Sequence, residues 1–250
     1  MISILQYQIE FHGFLIILLV ALLSGMSKTG VHGAGILCVP LMAIVFGGHA
    51  SSGLLLPIII LADIFGVVYY HRHADWKSLK RLLPWSILGI IAGTITGNHI
   101  NDAVFKLIMA VIIIVSLAIM IWLEKAKKAT MPDSAGIALF MGVAGGFTSM
   151  VGNLAGVVMA LYFLSMRLPK NTYIGTTAWF FMIINWLKVP FHVFVWHTIN
   201  LNTFLLATIT LPAILAGAYL GIKITQKLSE AVYRWFIISM TFAAAVFMLF

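Results

Sequence analysis

Gly93-Thr-Ile-Thr-Gly97 and Gly217-Ala-Tyr-Leu-Gly221 carry the same glycine spacing about half a chain apart. In both places an Ala-Val pair opens the apolar run that follows, Ala103-Val104 and Ala231-Val232. Further upstream, Ser27, Gly30, Gly53 and Asp63 fall opposite Ser149, Gly152, Gly175 and Asn185 at one constant offset. The chain therefore reads as two copies of one unit, residues 1–123 and 134–250, joined by a Lys-rich linker over 124–133.

The unit is built from membrane spans. Of the residues, 62% are hydrophobic and 9% charged, with a mean hydropathy of +1.08. Long, nearly uncharged runs over 14–23, 54–70 and 104–123 are best satisfied as bilayer helices, which pair their own backbone polar groups. The net charge of +8 does not imply nucleic acid, because basic residues of a membrane protein collect in its cytoplasmic loops. The single cysteine, Cys38, excludes an intrachain disulfide and a cysteine metal cluster. The first ten residues hold no Lys or Arg, so no cleavable signal is expected, and no soluble domain or long polar linker interrupts the apolar pattern.

Ten apolar segments are expected, near 11–26, 33–47, 53–70, 83–99 and 104–123, then 134–149, 153–166, 172–195, 203–224 and 231–250. Five segments per copy is an odd number, so the second copy enters the membrane from the opposite side. The loop charges agree with that parity. One side collects Arg72, Lys77, Lys80, Arg81, Lys125, Lys127, Lys128, Arg167, Lys170, Lys223 and Lys227, with Arg234 just beyond. The other side has Glu10, His49, Asp102 and Lys106. The positive-inside rule makes the crowded side cytoplasmic and puts both termini outside. Trp85, Trp122 and Trp235 fall where interfacial anchors belong. The ladders Gly89, Gly93, Gly97 and Ala213, Gly217, Gly221 read as close helix contacts without chemistry. The expected fold is an all-α polytopic membrane protein of two inverted-topology repeats, about five helical segments each and eight to ten spans in all, the usual build of a secondary transporter.

Glycine-broken helices locate a site. Residues 24–35 of the first copy and 142–156 of the second are dense in glycine, and each flanking segment runs to about fourteen residues, short of the roughly twenty a span needs. Each pair is expected to be a hairpin of re-entrant half-helices whose second member presents free N–H groups at midplane, and two such ends make an anion site. Lys28 sits in the first break as a candidate counter-charge, with Ser27, Thr29, Gly30 and His32 beside it and Ser149, Gly152 and Asn153 opposite. Three readings of Lys28 stand at this point: it neutralises a bound anion, it pairs permanently with Asp63, or it lies at the cytoplasmic boundary. Asp63 is a candidate proton carrier or a structural partner. Asn185 replaces it in the second copy, and Lys188 follows one turn later on the same face. His32 is a donor or proton carrier, or a packing residue. Trp179, Phe180 and Phe181 read as lipid- or core-packing aromatics. No spacing suggests a metal, a nucleotide loop or a nucleophile, so neither a cofactor nor a resident metal is expected.

The run Gly25-Met-Ser-Lys-Thr-Gly-x-His-Gly-Ala-Gly, with Val39-Pro40 and Asp75-Trp76, resembles the sulfite exporter TauE/SafE family, also called TSUP. The second-copy run from Gly152-Asn153 to Leu168-Pro169 resembles it as well. The first copy departs from the plainer family cluster at Lys28 and His32, and the second at Asn153 and Leu154. The resemblance implies membrane passage of small, mostly sulfur-containing anions such as sulfite or organosulfonates.

The expectation is a non-enzymatic secondary transporter of a small anion, resident in the cell (inner or plasma) membrane and working by alternating access. Its partners are the anion, the lipid bilayer and, through Asp63, protons; nucleic acid is not among them, and a homo-oligomer is left open. A passive anion channel and an intramembrane enzyme or sulfur-handling component are the alternatives.

Overall fold

The computed structural model describes residues 2–4, 7–46, 48–97, 99, 114, 118, 121–122 and 134–249. The fifth expected segment and the linker over 124–133 therefore lie outside the described residues, apart from isolated positions. Apart from a short antiparallel hairpin, β1 (Ile2–Ile4) and β2 (Tyr7–Ile9), the described regular structure is helical.

The first copy contains α1 (Phe11–Lys28), a 3-10 turn (His32–Leu37), α2 (Cys38–Phe46), α3 (Gly48–Tyr70), a second 3-10 turn (His71–His73) and α4 (Trp76–Gly97). The second contains α5 (Ala135–Gly152), α6 (Ala155–Ser165), α7 (Lys170–Phe194), α8 (Leu201–Ile209), α9 (Leu211–Lys227) and α10 (Glu230–Leu249). By length and composition, Phe11–Lys28, Ser51–His73 and Ala135–Gly152 are able to cross a bilayer, and α8 with α9, bent by 53°, adds a fourth if counted as one broken span. Among the described residues the candidate spans thus number three or four, and the fifth expected segment lies outside them. The longer α7 misses the apolarity because polar and basic side chains occupy its length, among them Asn185, Lys188 and His192.

Two expectations need correction. The first member of each glycine-rich pair is not a half-helix of about fourteen residues: α1 and α5 have 18 residues each, about 27 Å at 1.5 Å per residue. Gly25, Gly142 and Gly146 are tolerated inside these helices because they face neighbouring backbones, where any side chain would collide. Only the second members are short, with 9 residues in α2 and 11 in α6. In addition, the expected single segment over 203–224 is two helices. Thr210 separates them, and Pro212 starts the second, where its missing N–H costs nothing.

The ends of the helices follow local chemistry. Ser134 caps α5 by accepting from Ile137 N–H (3.2 Å), and Asn200 with Thr203 forms a reciprocal capping box on α8. Helix α1 closes at Gly30, whose φ of 128° is open to glycine, with Gly30 N–H on the Ser27 carbonyl and Val31 N–H on that of Met26. In the second copy the positive φ, 55°, falls on Asn153 and not on Gly152. Asparagine tolerates this conformation better than most side chains.

Helices of the first expected copy pack on helices of the second. Helix α1 lies along α9, α5 lies along α4, and α3 crosses α7. The contacts are as close as glycine allows. A Cβ on Gly217 would strike the Leu22 carbonyl, one on Gly25 that of Ile214, one on Gly89 that of Val143, and one on Gly146 that of Ser86. The ladder therefore works as helix-to-helix contact. Large apolar side chains including Leu15, Leu19, Ile87, Leu88, Ile95, Phe140 and Tyr219 remain exposed on the outer faces, the surface a lipid-embedded protein presents.

Candidate functional site

The C-terminal ends of α1 and α5 meet the middles of α3 and α7, and a cavity opens there. Ser24, Ser27, Lys28, His32 and Gly35 border it from the first break, and Ser149, Asn153 and Gly156 from the second. Ile59 of α3 with Phe181 and Asn185 of α7 complete the lining.

Two lysines and one aspartate set the electrostatics. Lys28 Nζ lies 2.9 Å from Asp63 Oδ1, with the lysine side chain 12% exposed and the aspartate fully buried. The same ammonium lies 4.1 Å from the centroid of the Phe181 ring, an arrangement in which the ring face offsets part of the desolvation. The other carboxylate oxygen, Oδ2, accepts a 2.6 Å hydrogen bond from Asn185 Nδ2. Asp63 and Asn185, opposite one another in the sequence repeat, are thus in direct contact. Lys188 is fully buried and donates to the Ser149 carbonyl (3.0 Å) and to Asn153 Oδ1 (2.6 Å). It places a hydrogen-bond donor on the C-terminal end of α5, where helix carbonyls lack partners within the helix. The Asn153 amide is oriented by this bond, because its Nδ2 donates in turn to Ser52 Oγ at 3.2 Å. Among the described residues, Lys188 has no carboxylate within 4.0 Å. The buried cluster therefore holds two basic side chains against one acidic one.

His32 connects the cavity to the copy interface. Its Nε2 is 2.7 Å from Thr177 Oγ1, and its Nδ1 is 3.1 Å from both the Gly30 carbonyl and Tyr233 Oη. Tyr233 also donates to the Gly30 carbonyl at 2.8 Å. The hydroxyl of Thr177 is within 2.9 Å of the Tyr173 carbonyl, so it can donate there while accepting from the imidazole. A ring protonated on either or both nitrogens finds acceptors here, a useful property beside a charged cavity.

Of the residues expected at the site, Ser27, Lys28, His32, Ser149, Asn153 and Asn185 border the cavity, and Asp63 and Lys188 reach it through their partners. Thr29 does not. Its hydroxyl donates to the Gly25 carbonyl (2.9 Å) and lies 3.1 Å from that of Ala218, which ties α1 to α9. Gly30 and Gly152 contribute backbone at the two helix ends. Of the Lys28 readings, the ion pair with Asp63 is the one present in the structure. Phe181, expected to be packing, belongs to the buried core and also stands over Lys28. Ser24, Gly35 and Gly156 lay inside the glycine-rich stretches without being singled out, and Thr177 and Tyr233 carried no local signal. Their spacing from His32, 145 and 201 residues, is bridged only by the fold. Among the described residues, no cluster of His, Cys, Asp and Glu could hold a metal ion.

A bundle of apolar helices around a buried polar cavity defines a multi-pass membrane protein. The chain matches the family model described as Sulfite exporter TauE/SafE over residues 14–248, and it belongs to that family. The family is one of membrane transporters, in agreement with the apolar helices and with the sequence resemblance. No curated protein and no solved structure matches the chain.

Proposed function

We propose that this protein is a secondary transporter that carries a small sulfur oxoanion, sulfite or an organosulfonate, across the cell membrane by alternating access. The single observation that carries the reading is the contact between Asp63 and Asn185 at 2.6 Å. Equivalent residues of two copies touch only where the copies meet about a two-fold axis. The reciprocal packing of α1 on α9 and α5 on α4 supports the same axis. The odd segment count and the one-sided loop charges support an axis in the membrane plane, so that the copies 1–123 and 134–250 are inverted and both termini face outward.

Charge supports an anion as cargo. With two basic side chains beside one carboxylate, the cluster offers an anion more donors than Asp63 uses. In this reading Lys28, Ser27, His32, Ser149 and Asn153 bind the anion, while Thr29, Gly30 and Gly152 shape the helix ends that hold them. Asp63, with Asn185 and Lys188, couples binding to a proton: when the anion takes Lys28 from Asp63, the released carboxylate gains a proton or a new partner. The sulfur identity comes from family membership.

The test is uptake of labelled sulfite into proteoliposomes holding the full chain, with and without an imposed pH step. Saturable uptake that responds to the pH step, is abolished in Lys28→Ala and is uncoupled in Asp63→Asn is expected. Flux that does not saturate and ignores the gradient means a channel. Absence of sulfite and sulfonate flux in the wild type overturns the proposal.

A further inference from the structure

A second cavity lies where α6 ends and α7 and α10 begin, bordered by Arg167, Lys170, Tyr173, Tyr233 and Arg234, with Glu230 at its exposed rim. Three basic side chains there face one carboxylate. Helices α7 and α10, of 25 and 20 residues, both start at this cavity and turn their positive ends towards it. The ammonium of Lys170 is held by the carbonyls of Thr225 (3.0 Å) and Leu228 (2.6 Å). Those bonds use two of its three donors and fix the charge in place.

A second, independent feature points to a ligand. Tyr173 borders this cavity and is 2% exposed, yet among the described residues its hydroxyl has no hydrogen-bond partner. A buried donor without an acceptor is destabilising, and such groups are retained where something else supplies the acceptor. An oxoanion seated between Arg167 and Lys170 would do so.

The same tyrosine forms the partition between the two cavities. Its ring meets His32 edge-on at 5.1 Å and Tyr233 edge-on at 5.9 Å, and Tyr233 is hydrogen-bonded to Gly30 behind them. His32 borders the central cavity, while Tyr173 and Tyr233 border the second.

We propose that the second cavity is an anion-binding vestibule, in which the transported oxoanion is held by Arg167, Lys170 and the Tyr173 hydroxyl on its way past the His32–Tyr173–Tyr233 partition. The proposal rests on the transport reading above. It assigns one more binding site to the same cargo, on the side of the membrane where the basic loops lie.

Equilibrium dialysis of the full chain in detergent against radiolabelled sulfite tests it by counting anions per chain. The wild type binds two. Lys28→Ala retains only the vestibule anion, and the double variant Arg167→Gln/Tyr173→Phe retains only the central one. Tyr173→Phe alone weakens the vestibule roughly tenfold, the worth of one hydrogen bond to a charged partner. It also raises the melting temperature, since it removes a buried hydroxyl without a partner. Stabilisation by Tyr173→Phe with unchanged binding would show a purely structural tyrosine and refute the vestibule. So would a wild type that binds no sulfite, or binds one anion that only Lys28→Ala removes. One anion that survives Lys28→Ala and is lost in the double variant keeps the vestibule and refutes the central site instead.

Discussion

Replacing Asp63 by asparagine isolates the ion pair at the centre of the molecule. The substitution keeps the side-chain volume and leaves an amide beside Asn185, but it strands the Lys28 ammonium, 12% exposed, without its carboxylate. Removing one partner of a buried pair costs about 3–5 kcal/mol. Lys28 keeps the face of Phe181 at 4.1 Å and borders a cavity, so the lower end, about 3 kcal/mol, is expected. For a chain of this size that corresponds to a fall in melting temperature of roughly 6–12 °C. An anion that binds Lys28 replaces the missing carboxylate, so saturating sulfite should restore much of the loss and stabilise Asp63→Asn more than it stabilises the wild type. The companion variant Lys28→Met/Asp63→Asn removes both charges. It should recover stability without sulfite, because a buried pair exchanged for neutral groups is often neutral or stabilising, and it should not respond to the anion. Thermal unfolding of the wild type, Asp63→Asn, Lys28→Met and the double variant in detergent, with and without sulfite, completes the cycle. The reasoning is refuted if Asp63→Asn melts with the wild type, or if the double variant is as unstable as the single one. Equal sulfite shifts in all four proteins would separate the pair from the anion.

Other consequences are open to direct measurement. Lys188→Met removes the donor on Ser149 and Asn153; sulfite uptake in proteoliposomes should fall at least tenfold while the chain stays folded by size-exclusion chromatography, and retained uptake would remove Lys188 from the mechanism. Gly146→Ala drives a methyl into the Ser86 carbonyl and should destabilise by about 1–3 kcal/mol in thermal unfolding. Gly136→Ala, on the same helix with nothing within 4 Å of the added methyl, should stabilise by roughly 0.5–1 kcal/mol, and the opposite signs check the packing argument. For the topology, a cysteine at Ser229 should react with a membrane-impermeant maleimide only after permeabilisation of cells, and one at Asn200 without it, in a Cys38→Ser background. The reverse pattern would invert the assignment.

Composition and periodicity carried the helical membrane class, because a chain with 62% hydrophobic residues has few other ways to satisfy its backbone in lipid. Close helix contacts were also legible, because the glycine ladders stand where backbones meet, as at Gly217 against Leu22 and Gly89 against Val143. Intramembrane charge was equally visible: Lys28, Asp63 and Lys188 stand out in apolar runs because burying them demands a partner. Which partner each one takes was decided only by the tertiary structure. Lys28 pairs with Asp63 across 35 residues, Lys188 caps α5 across 35 to 39, and Asp63 meets Asn185 across 122. Helix length was misjudged for a related reason. The glycine-rich stretches held the breaks, at 29–31 and 153–154, but they also suggested half-helices on both sides, whereas a glycine whose missing side chain is replaced by a neighbouring backbone supports a longer continuous helix. That neighbour is set by long-range packing, as are the contacts of Thr177 and Tyr233 with His32, and local sequence has no record of either.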